Sequence, residues 1–306
     1  MRTLGSRRGT SLVELMVALV LFGIIGMATL RSLDRQARFH TGILAILEAR
    51  SQHAAAHEAV AVELRSVSSP AGDIGRLSDS SIVFRLPVGG GVACAGAPAV
   101  LDLAPDSVAS GQSFARFRTA PQPGDTAWIL DDGPSDVASD DRWLGFHVLS
   151  TSRATGHCTG SPLVDPVLDA TATSWRFTVS GILPATLSGA AVRLTRIARF
   201  ALYRGGTGEH WLGFTEVQPA TGAWVTIQPV SGPYLPFSAS APATSGVALG
   251  GRDSSGGTTT STLAGAHTAI SLSTRTQTSR VVRMDGAPRG LRPDSLHSLI
   301  GVRNWK

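Results

Sequence analysis

The segment RRGTSLVELMVALVLFGIIGMATL, residues 7–30, decides how the chain is organised, because a basic start leads into a long apolar run. Residues 11–30 contain a single charged residue, Glu14, and no proline. As an α-helix rising about 1.5 Å per residue, such a run spans about 30 Å, the apolar thickness of a bilayer. The arginines before the run favour a cytoplasmic location for that end. The segment therefore predicts one membrane-spanning helix.

Two ordinary targeting segments share this outline. A secretory signal peptide would be cut after Ala28, since Gly26 and Ala28 supply a small-x-small cleavage site. An uncleaved membrane anchor would keep the whole run. Neither interpretation explains Glu14, because an ionised carboxylate inside an apolar helix costs about 3 kcal/mol and is normally retained for a function.

The stretch RRGTSLVEL, residues 7–15, resembles the prepilin cleavage and methylation motif of type IV pilins and type II secretion pseudopilins. In that family a prepilin peptidase at the cytoplasmic membrane face cuts after the glycine and methylates the new amine. The resemblance implies a cut between Gly9 and Thr10, with Arg7 and Arg8 as the basic leader. The family most often has phenylalanine where this chain has Thr10.

The same resemblance gives Glu14 a role, because it matches the glutamate five residues into the mature chain of the family. A free α-amine titrates near pH 8 and is largely cationic at neutral pH. Opposite charges attract strongly in a low dielectric and offset each other's desolvation. The resemblance therefore implies that Glu14 of one subunit pairs with the Thr10 amine of its neighbour in an assembled filament.

The helical pattern continues past the apolar run. Residues 31–66 contain no proline and a single glycine, and Pro70 with Gly72 marks their end. Apolar residues recur at helical spacing and predict an amphipathic second half: Ile43, Leu44, Ile46, Leu47, Ala54, Ala55, Val60, Val62 and Leu64. One helix over residues 10–66 would be about 85 Å long. His53 and His57, four residues apart, either share a metal ion or form a polar helix face.

The rest of the chain predicts short strands separated by Gly, Pro, Asp and Ser clusters. The clearest part is an antiparallel meander over residues 192–228. The predicted strands are Ser81–Leu86, Val92–Cys94, Ala127–Leu130, Trp143–Leu149, Ser174–Val179, Val192–Tyr203, Trp211–Glu216, Trp224–Ile227, Ala269–Ser273 and Leu299–Val302. The stretch GGRDSSGGTTTST, residues 250–262, predicts a mobile low-complexity loop.

These patterns together predict an α+β fold, in which a long N-terminal helix with a membrane-spanning first half packs on an antiparallel β-rich head. The expected regions are a leader (1–9), a membrane or filament-core half-helix (10–30), an amphipathic half-helix (31–68) and a periplasmic or extracellular head (69–306). The meander and the ending DSLHSLIGVRN, with Arg303 and Asn304, resemble PilW-type minor pilins. J-type pseudopilins are similar in size and order of elements.

The two resemblances imply a structural subunit of a type IV pilus or a type II secretion pseudopilus. Its partners would be the prepilin peptidase, other pilins in a filament and the inner membrane, which the chain crosses once with its head in the periplasm. A head displayed at a filament tip is the alternative, as an adhesin or DNA-binding module. Three of the 27 basic residues precede Gly9, and the others form no basic stripe, so no nucleic-acid site is predicted.

Two cysteines, Cys94 and Cys158, fit no zinc-binding spacing. If the head is exported, a disulfide between them is expected, and two buried thiols are the alternative. An acidic stretch over residues 131–141 is either a calcium site or a solvated turn, because calcium takes several carboxylate oxygens. The calcium hypothesis rests on Asp131, Asp132, Asp136, Asp140 and Asp141.

No enzyme is predicted. The stretches RDSSGG (252–257) and GHC (156–158) only faintly resemble the serine and histidine regions of serine proteases, and both patterns are broken. The chain has no nucleophile elbow, phosphate-binding loop or dinucleotide fingerprint. Neither a resident cofactor nor a small-molecule substrate is therefore expected.

Overall fold

The structure is a computed structural model that describes residues 11–69, 71–106, 114–133, 135, 137, 140–184, 187–259, 267–278, 281–282 and 290–302. It confirms the α+β class. The helices are α1 (Leu12–Leu64) and α2 (Pro166–Thr171). The strands are β1 (Ile74–Ser78), β2 (Ser81–Ala97), β3 (Val100–Leu103), β4 (Ala115–Phe117), β5 (Thr126–Asp131), β6 (Arg142–Ala154), β7 (Ser174–Val179), β8 (Ala191–Arg204), β9 (His210–Glu216), β10 (Gln228–Tyr234), β11 (Val247–Arg252), β12 (Thr258–Thr259), β13 (Ala269–Gln277) and β14 (Pro293–Gly301).

The chain divides into two compact units. The first, here called the stalk unit, comprises Met1–Ser51 and Gln277–Asp294. The second, the head unit, comprises Gln52–Thr276 and Ser295–Lys306. Helix α1 and strands β13 and β14 each contribute residues to both units.

Within the stalk unit, α1 buries small residues rather than bulky ones. Gly42, Ala45 and Ala49 are buried, whereas Ile43 and Leu44 are exposed. A Cβ atom placed on Gly42 would lie 3.2 Å from Cγ1 of Val282, so Val282 approaches the helix closely at this point. The predicted apolar face was wrong here, because close backbone approach selects residues with little or no side chain.

In the head unit, the end of α1 covers a core shared by two sheets. Ala56, Val60 and Leu64 recur every four residues, lie on one helix face and are fully buried. They pack with one face of the β1-β2-β8-β9-β10 part of the large sheet and with the smaller sheet of order β12-β11-β13-β14. The other members of this first core include Ile82, Phe84, Ala198, Phe200, Leu212, Val247, Leu249, Ile270, Leu272 and Ile300.

A second core lies inside a closed ring of antiparallel strands. β2, β3, β7, β6, β5 and β8 pair in that order, and β8 pairs back to β2. Alternate side chains point into the ring, as the period of two requires. The interior is filled by residues that include Val88, Ala93, Leu101, Leu103, Ala127, Ile129, Val148, Phe177, Val179, Val192 and Leu194. Nothing in the sequence patterns had indicated this closure.

Strand β2 corrects the prediction that PVGGG, residues 87–91, separates two short strands. A bulge between Pro87 and Gly89 lets the chain continue as one strand of 17 residues. A Cβ on Gly89 would lie 2.5 Å from the Arg116 carbonyl oxygen, and one on Gly90 would lie 2.5 Å from that of Val192. The glycines therefore serve close contact with β4 and β8 and do not form a turn.

The meander is confirmed in its first two strands and wrong in its third. β8 and β9 pair over Ala198↔Glu216 to Arg204↔His210. Residues 224–227 form only an isolated bridge, Val217↔Trp224, and the strand that follows β9 is β10. Strand β10 has the sequence QPVSGPY, and its prolines and glycine gave no strand signal. They are tolerated there because β10 lies at the edge of the sheet.

The predicted mobile loop at 250–262 is a hydrogen-bonded hairpin in the part that the structure describes. β11 pairs with β12 at Gly251↔Thr259 and Arg252↔Thr258. The Asp253 carboxylate accepts from the backbone N–H groups of Ser255 and Gly257, which fixes the turn. Residues 260–262 lie outside the described residues.

Candidate functional site

The N-terminal part of α1 presents bare apolar side chains. Leu12 is 76% exposed and Phe22 is 81% exposed, and the most apolar 18-residue window of the helix has no buried residue. Mean hydropathy in that window is 2.3, so the helix is long and apolar enough to cross a membrane by length and composition. Exposed apolar surface of this extent is characteristic of a segment that inserts in lipid or packs on a partner.

Glu14 lies in the first turn of α1, and its residue is exposed. The helix begins with a hydrogen bond from the Leu15 N–H to the Ser11 carbonyl. A carboxylate in this position interacts favourably with the free N–H groups and the positive end of the helix dipole. The cleavage and leader residues of the resemblance, Arg7, Arg8, Gly9 and Thr10, lie outside the described residues.

Cys94 and Cys158 form a disulfide in the structure, with their Cα atoms 5.4 Å apart. Both are buried in a small apolar cluster with Ala104 and Val164. The carboxylate of Asp169, on α2, accepts a hydrogen bond from the Cys158 N–H and holds this loop in place. Of the two alternatives that the sequence left open, the structure has the disulfide.

The acidic stretch is largely occupied with local contacts. Asp131 pairs with Arg142 across β5 and β6, at 3.1 Å. Asp140 accepts from the hydroxyl and the N–H of Ser135, and the Ser135 hydroxyl is the main reason that its pKa is lowered. The described residues contain no group of three or more His, Cys, Asp or Glu that could hold a metal ion.

The structure describes only part of the remaining acidic residues, so the calcium hypothesis stays a prediction. The structure describes Asp132 and Asp141. Desolvation is the main cause that raises the pKa of Asp141, and repulsion from Asp132 and Asp140 adds to it. Asp136 lies outside the described residues. The local contacts of Asp131 and Asp140 resemble those of a surface turn.

The two helix histidines contact side chains of the smaller sheet. His53 and His57 are both buried in the head unit, and each has a ring nitrogen within 3.0 Å of the Thr274 hydroxyl. The Ser298 hydroxyl forms a hydrogen bond with Nδ1, the other ring nitrogen of His57, at 2.5 Å. The polar face that the sequence left as one alternative is therefore buried against β13 and β14, and it is not solvated.

Three buried carboxylates escaped sequence reasoning. Asp102, Asp125 and Asp73 are at most 4% exposed, and each binds an arginine. Asp125 makes two hydrogen bonds to Arg196, at 2.8 and 3.0 Å, and these bonds raise the pKa of that arginine. Isolated aspartates in loop-like sequence gave no signal, because the arginines that donate hydrogen bonds to them lie 71 to 120 residues away along the chain.

Four tryptophans of the head unit have an arginine stacked over the ring. The guanidinium carbon of Arg85 lies 4.1 Å from the Trp128 ring centre, and that of Arg199 lies 4.6 Å from Trp224. Trp143 and Trp175 carry similar contacts. These are cation–π pairs within the protein, so the aromatic faces involved are already occupied.

A cleft of about 510 Å³ opens where β8 changes partner from β5 to β9. Its walls include Pro123, His147, Leu149 and Pro219, and Arg196 contributes to its floor. Arg196 forms salt bridges with Asp125 and Glu216, so its positive charge is already neutralised within the protein. The cleft therefore offers mainly apolar contacts.

Ser255, the serine of the weak protease resemblance, is hydrogen-bonded within its own turn. The Ser255 hydroxyl donates to the Asp253 carboxylate at 2.6 Å within the same turn.

Comparisons of the chain with protein-family models, with curated proteins and with solved structures gave no match.

Proposed function

We propose that this chain is a minor pilin-like structural subunit of a type IV pilus or a related filament. One observation carries the proposal: a 53-residue helix begins with exposed apolar surface and ends as part of the core of a β-rich unit. A soluble protein has no use for the first part, and a simple membrane anchor has no use for a carboxylate in its first turn.

The proposed life cycle has two stages. A prepilin peptidase removes residues 1–9 while the apolar half of α1 lies in the inner membrane and the head faces the periplasm. The helix then leaves the bilayer for a filament, where apolar packing supplies most of the cohesion. Glu14 pairs with the Thr10 amine of the adjacent subunit, which fixes the axial register.

The head supports a structural role in this proposal more than an adhesive one. Four of its tryptophan rings lie under arginines of the same chain, and buried carboxylates pair with one of these, Arg193, and with two further arginines, Arg176 and Arg196. An adhesin or DNA-binding module would be expected to offer free aromatic faces or a free basic patch. The pilus and the type II secretion pseudopilus remain the two settings for the subunit.

The first experiment is the intact mass of the protein extracted from membranes of cells with and without the prepilin peptidase. We expect a chain beginning at Thr10, carrying one added methyl group, only when the peptidase is present. A chain beginning at Thr29 would identify a signal peptide, and a chain that keeps residues 1–9 in both strains would identify an anchor. Either result would overturn the proposal.

Assembly is tested separately with Glu14→Gln, which removes the charge and keeps the shape. Breaking a desolvated ion pair costs about 3 kcal/mol or more, so incorporation into sheared filaments should fall at least a hundredfold. Glu58→Gln is the matched control, because Glu58 is an exposed glutamate on the same helix within the head unit. Equal incorporation of the two variants would contradict the pairing role.

A further inference from the structure

A buried polar network joins α1 to the smaller sheet inside the head unit. Its members, called here the histidine network, are His53, His57, Thr274 and Ser298. Thr274 is fully buried, His53 is 2% exposed and His57 is 8% exposed. Buried polar groups are tolerated where they are hydrogen-bonded, so these contacts hold the two elements together.

The Thr274 hydroxyl lies between the two rings. Its oxygen is 2.7 Å from Nδ1 of His53 and 3.0 Å from Nε2 of His57. A hydroxyl has one hydrogen to donate and two lone pairs. With neutral histidines, Thr274 donates to one ring nitrogen and accepts an N–H from the other, so both contacts of the hydroxyl are hydrogen bonds. With both rings protonated, each directs an N–H at the same oxygen, and the hydroxyl hydrogen loses its acceptor.

We propose that the histidine network is a proton-operated latch. It fastens the Gln52–Leu64 part of α1 to β13 and β14 while both rings are neutral, and it opens when they take up protons. The latch belongs to the head unit alone. Its test therefore does not depend on cleavage, membrane insertion or filament assembly.

The surroundings of His57 oppose the protonation of its ring. Burial is the largest cause, followed by the nearby His53 and then His297 on β14, and together they lower the pKa of His57 from 6.5 to about 4. From β10, Tyr234 lies with its ring centre 6.0 Å from that of His53. Burial raises the pKa of Tyr234 to about 12, so this neighbour stays neutral and supplies no compensating charge.

The pH window follows from the lowered pKa. In the opened state the ring of His57 returns to its ordinary pKa near 6.5, so the opened state binds protons more readily between pH 6.5 and pH 4. The latch is at full strength above pH 6.5 and weakens as the pH falls. A shift of this size weakens closure about 150-fold at pH 4 and about 300-fold at the limit below it.

Hydrogen–deuterium exchange of the full chain in detergent micelles tests the latch. Rates are corrected for the intrinsic pH dependence of exchange and compared at pH 7 and pH 4.5. We expect peptides covering 53–64 and 269–276 to lose protection at least tenfold, while the ring strands β5 and β7 keep theirs. A uniform loss of protection across the head, or no loss at the helix, would overturn the proposal.

Two variants assign the effect to the network. His57→Gln keeps a neutral hydrogen-bonding side chain and should abolish the acid-dependent loss. His40→Gln removes an exposed histidine from the same helix and should leave the loss unchanged. An acid-dependent loss that persists in His57→Gln would refute the latch.

A measurement on the unmodified chain covers the case in which His57→Gln does not fold. The ring resonances of His57 are followed by NMR as the pH is lowered. They should titrate at least 1.5 pH units below the ordinary histidine value of 6.5, because burial and neighbouring charges disfavour the protonated ring. Titration of His57 near pH 6.5 in the folded protein would overturn the proposal.

Discussion

Single buried aspartates attach loops of the head to its strands. Asp73 follows the end of α1 and accepts a hydrogen bond from the Ser68 N–H at 2.8 Å. The same carboxylate binds Arg193 at 2.7 Å and lies 3.8 Å from Arg85, whose pKa is lowered chiefly by burial. Removal of this carboxylate takes an acceptor from two arginines and from a backbone donor at once. Such residues are therefore sensitive positions.

We expect Asp73→Ala to lower the free energy of unfolding of the head by about 3 to 5 kcal/mol, because it strands buried donors and charge. Asp73→Asn keeps an acceptor oxygen and should lose roughly half as much. Urea unfolding followed by tryptophan fluorescence measures both. Asp34→Ala removes an exposed helix ion pair with Arg38 and should cost less than about 0.5 kcal/mol. A cost for Asp73→Ala no greater than for Asp34→Ala would contradict the assignment.

At the scale of elements, glycines mark where backbones approach closely. Three consecutive glycines let β2 run between β8 and β4, and one glycine lets the segment with Val282 approach α1. Other glycines of the same elements have open surroundings: a Cβ on Gly23 or Gly26 would meet nothing within 4 Å. The contrast separates glycines that are required by packing from those that are not.

Gly90→Ala should destabilise the head by about 2 to 4 kcal/mol, because its Cβ would lie 2.5 Å from the rigid Val192 carbonyl oxygen. Gly75→Ala, in the neighbouring strand β1, is the matched control. Its nearest neighbour would be 3.6 Å away, so a change within about 0.5 kcal/mol is expected. Equal free energies of unfolding for the two variants would show that β2 is not constrained by its neighbours.

Gly42→Leu tests the close approach in the stalk unit. The added side chain collides with Val282, so limited proteolysis next to Val282 should become at least several-fold faster. Val282→Ala combined with Gly42→Leu should restore part of the protection, because the smaller residue makes room. Gly26→Leu, on the same helix with open surroundings, serves as the control and should leave proteolysis unchanged.

At the scale of the whole head, β2 and β8 connect the two cores. One end of each strand lines the core that α1 covers, and the other end lines the interior of the strand ring. Loss of either core therefore weakens the other through these shared strands, and the head should unfold cooperatively. The disulfide is attached to the ring end, where Cys94 lies in β2.

Removal of the disulfide should lower the free energy of unfolding of the entire head. Its cysteines are separated by 64 residues, and closing a loop of that length stabilises the folded chain by about 4 kcal/mol in the chain-entropy account. Cys94→Ala with Cys158→Ala should therefore shift urea unfolding as one transition. Reductant should leave the free energy of unfolding of the double variant unchanged and should lower that of the wild type. Two separate transitions would contradict the shared-strand argument.

The sequence by itself determined the elements whose signal is local. The long helix followed from an unbroken apolar and amphipathic run without proline, and β7 was predicted with its observed bounds because its residues alternate. The disulfide, by contrast, was only one of two alternatives. Glu14 was singled out because an ionised carboxylate is costly inside a membrane-spanning apolar run, and its pairing role stays a prediction.

Only the tertiary structure decided which strands meet and which polar residues are buried. The ring closes through the pairing of β2 with β8, whose partners lie 99 to 120 positions apart, and no local period encodes that partner choice. The same holds for Thr274 between the two histidines and for Arg196 between two carboxylates. Strand-breaking glycines and prolines hid the continuity of β2 and the whole of β10, because their meaning depends on the neighbouring backbone, which the sequence alone does not reveal.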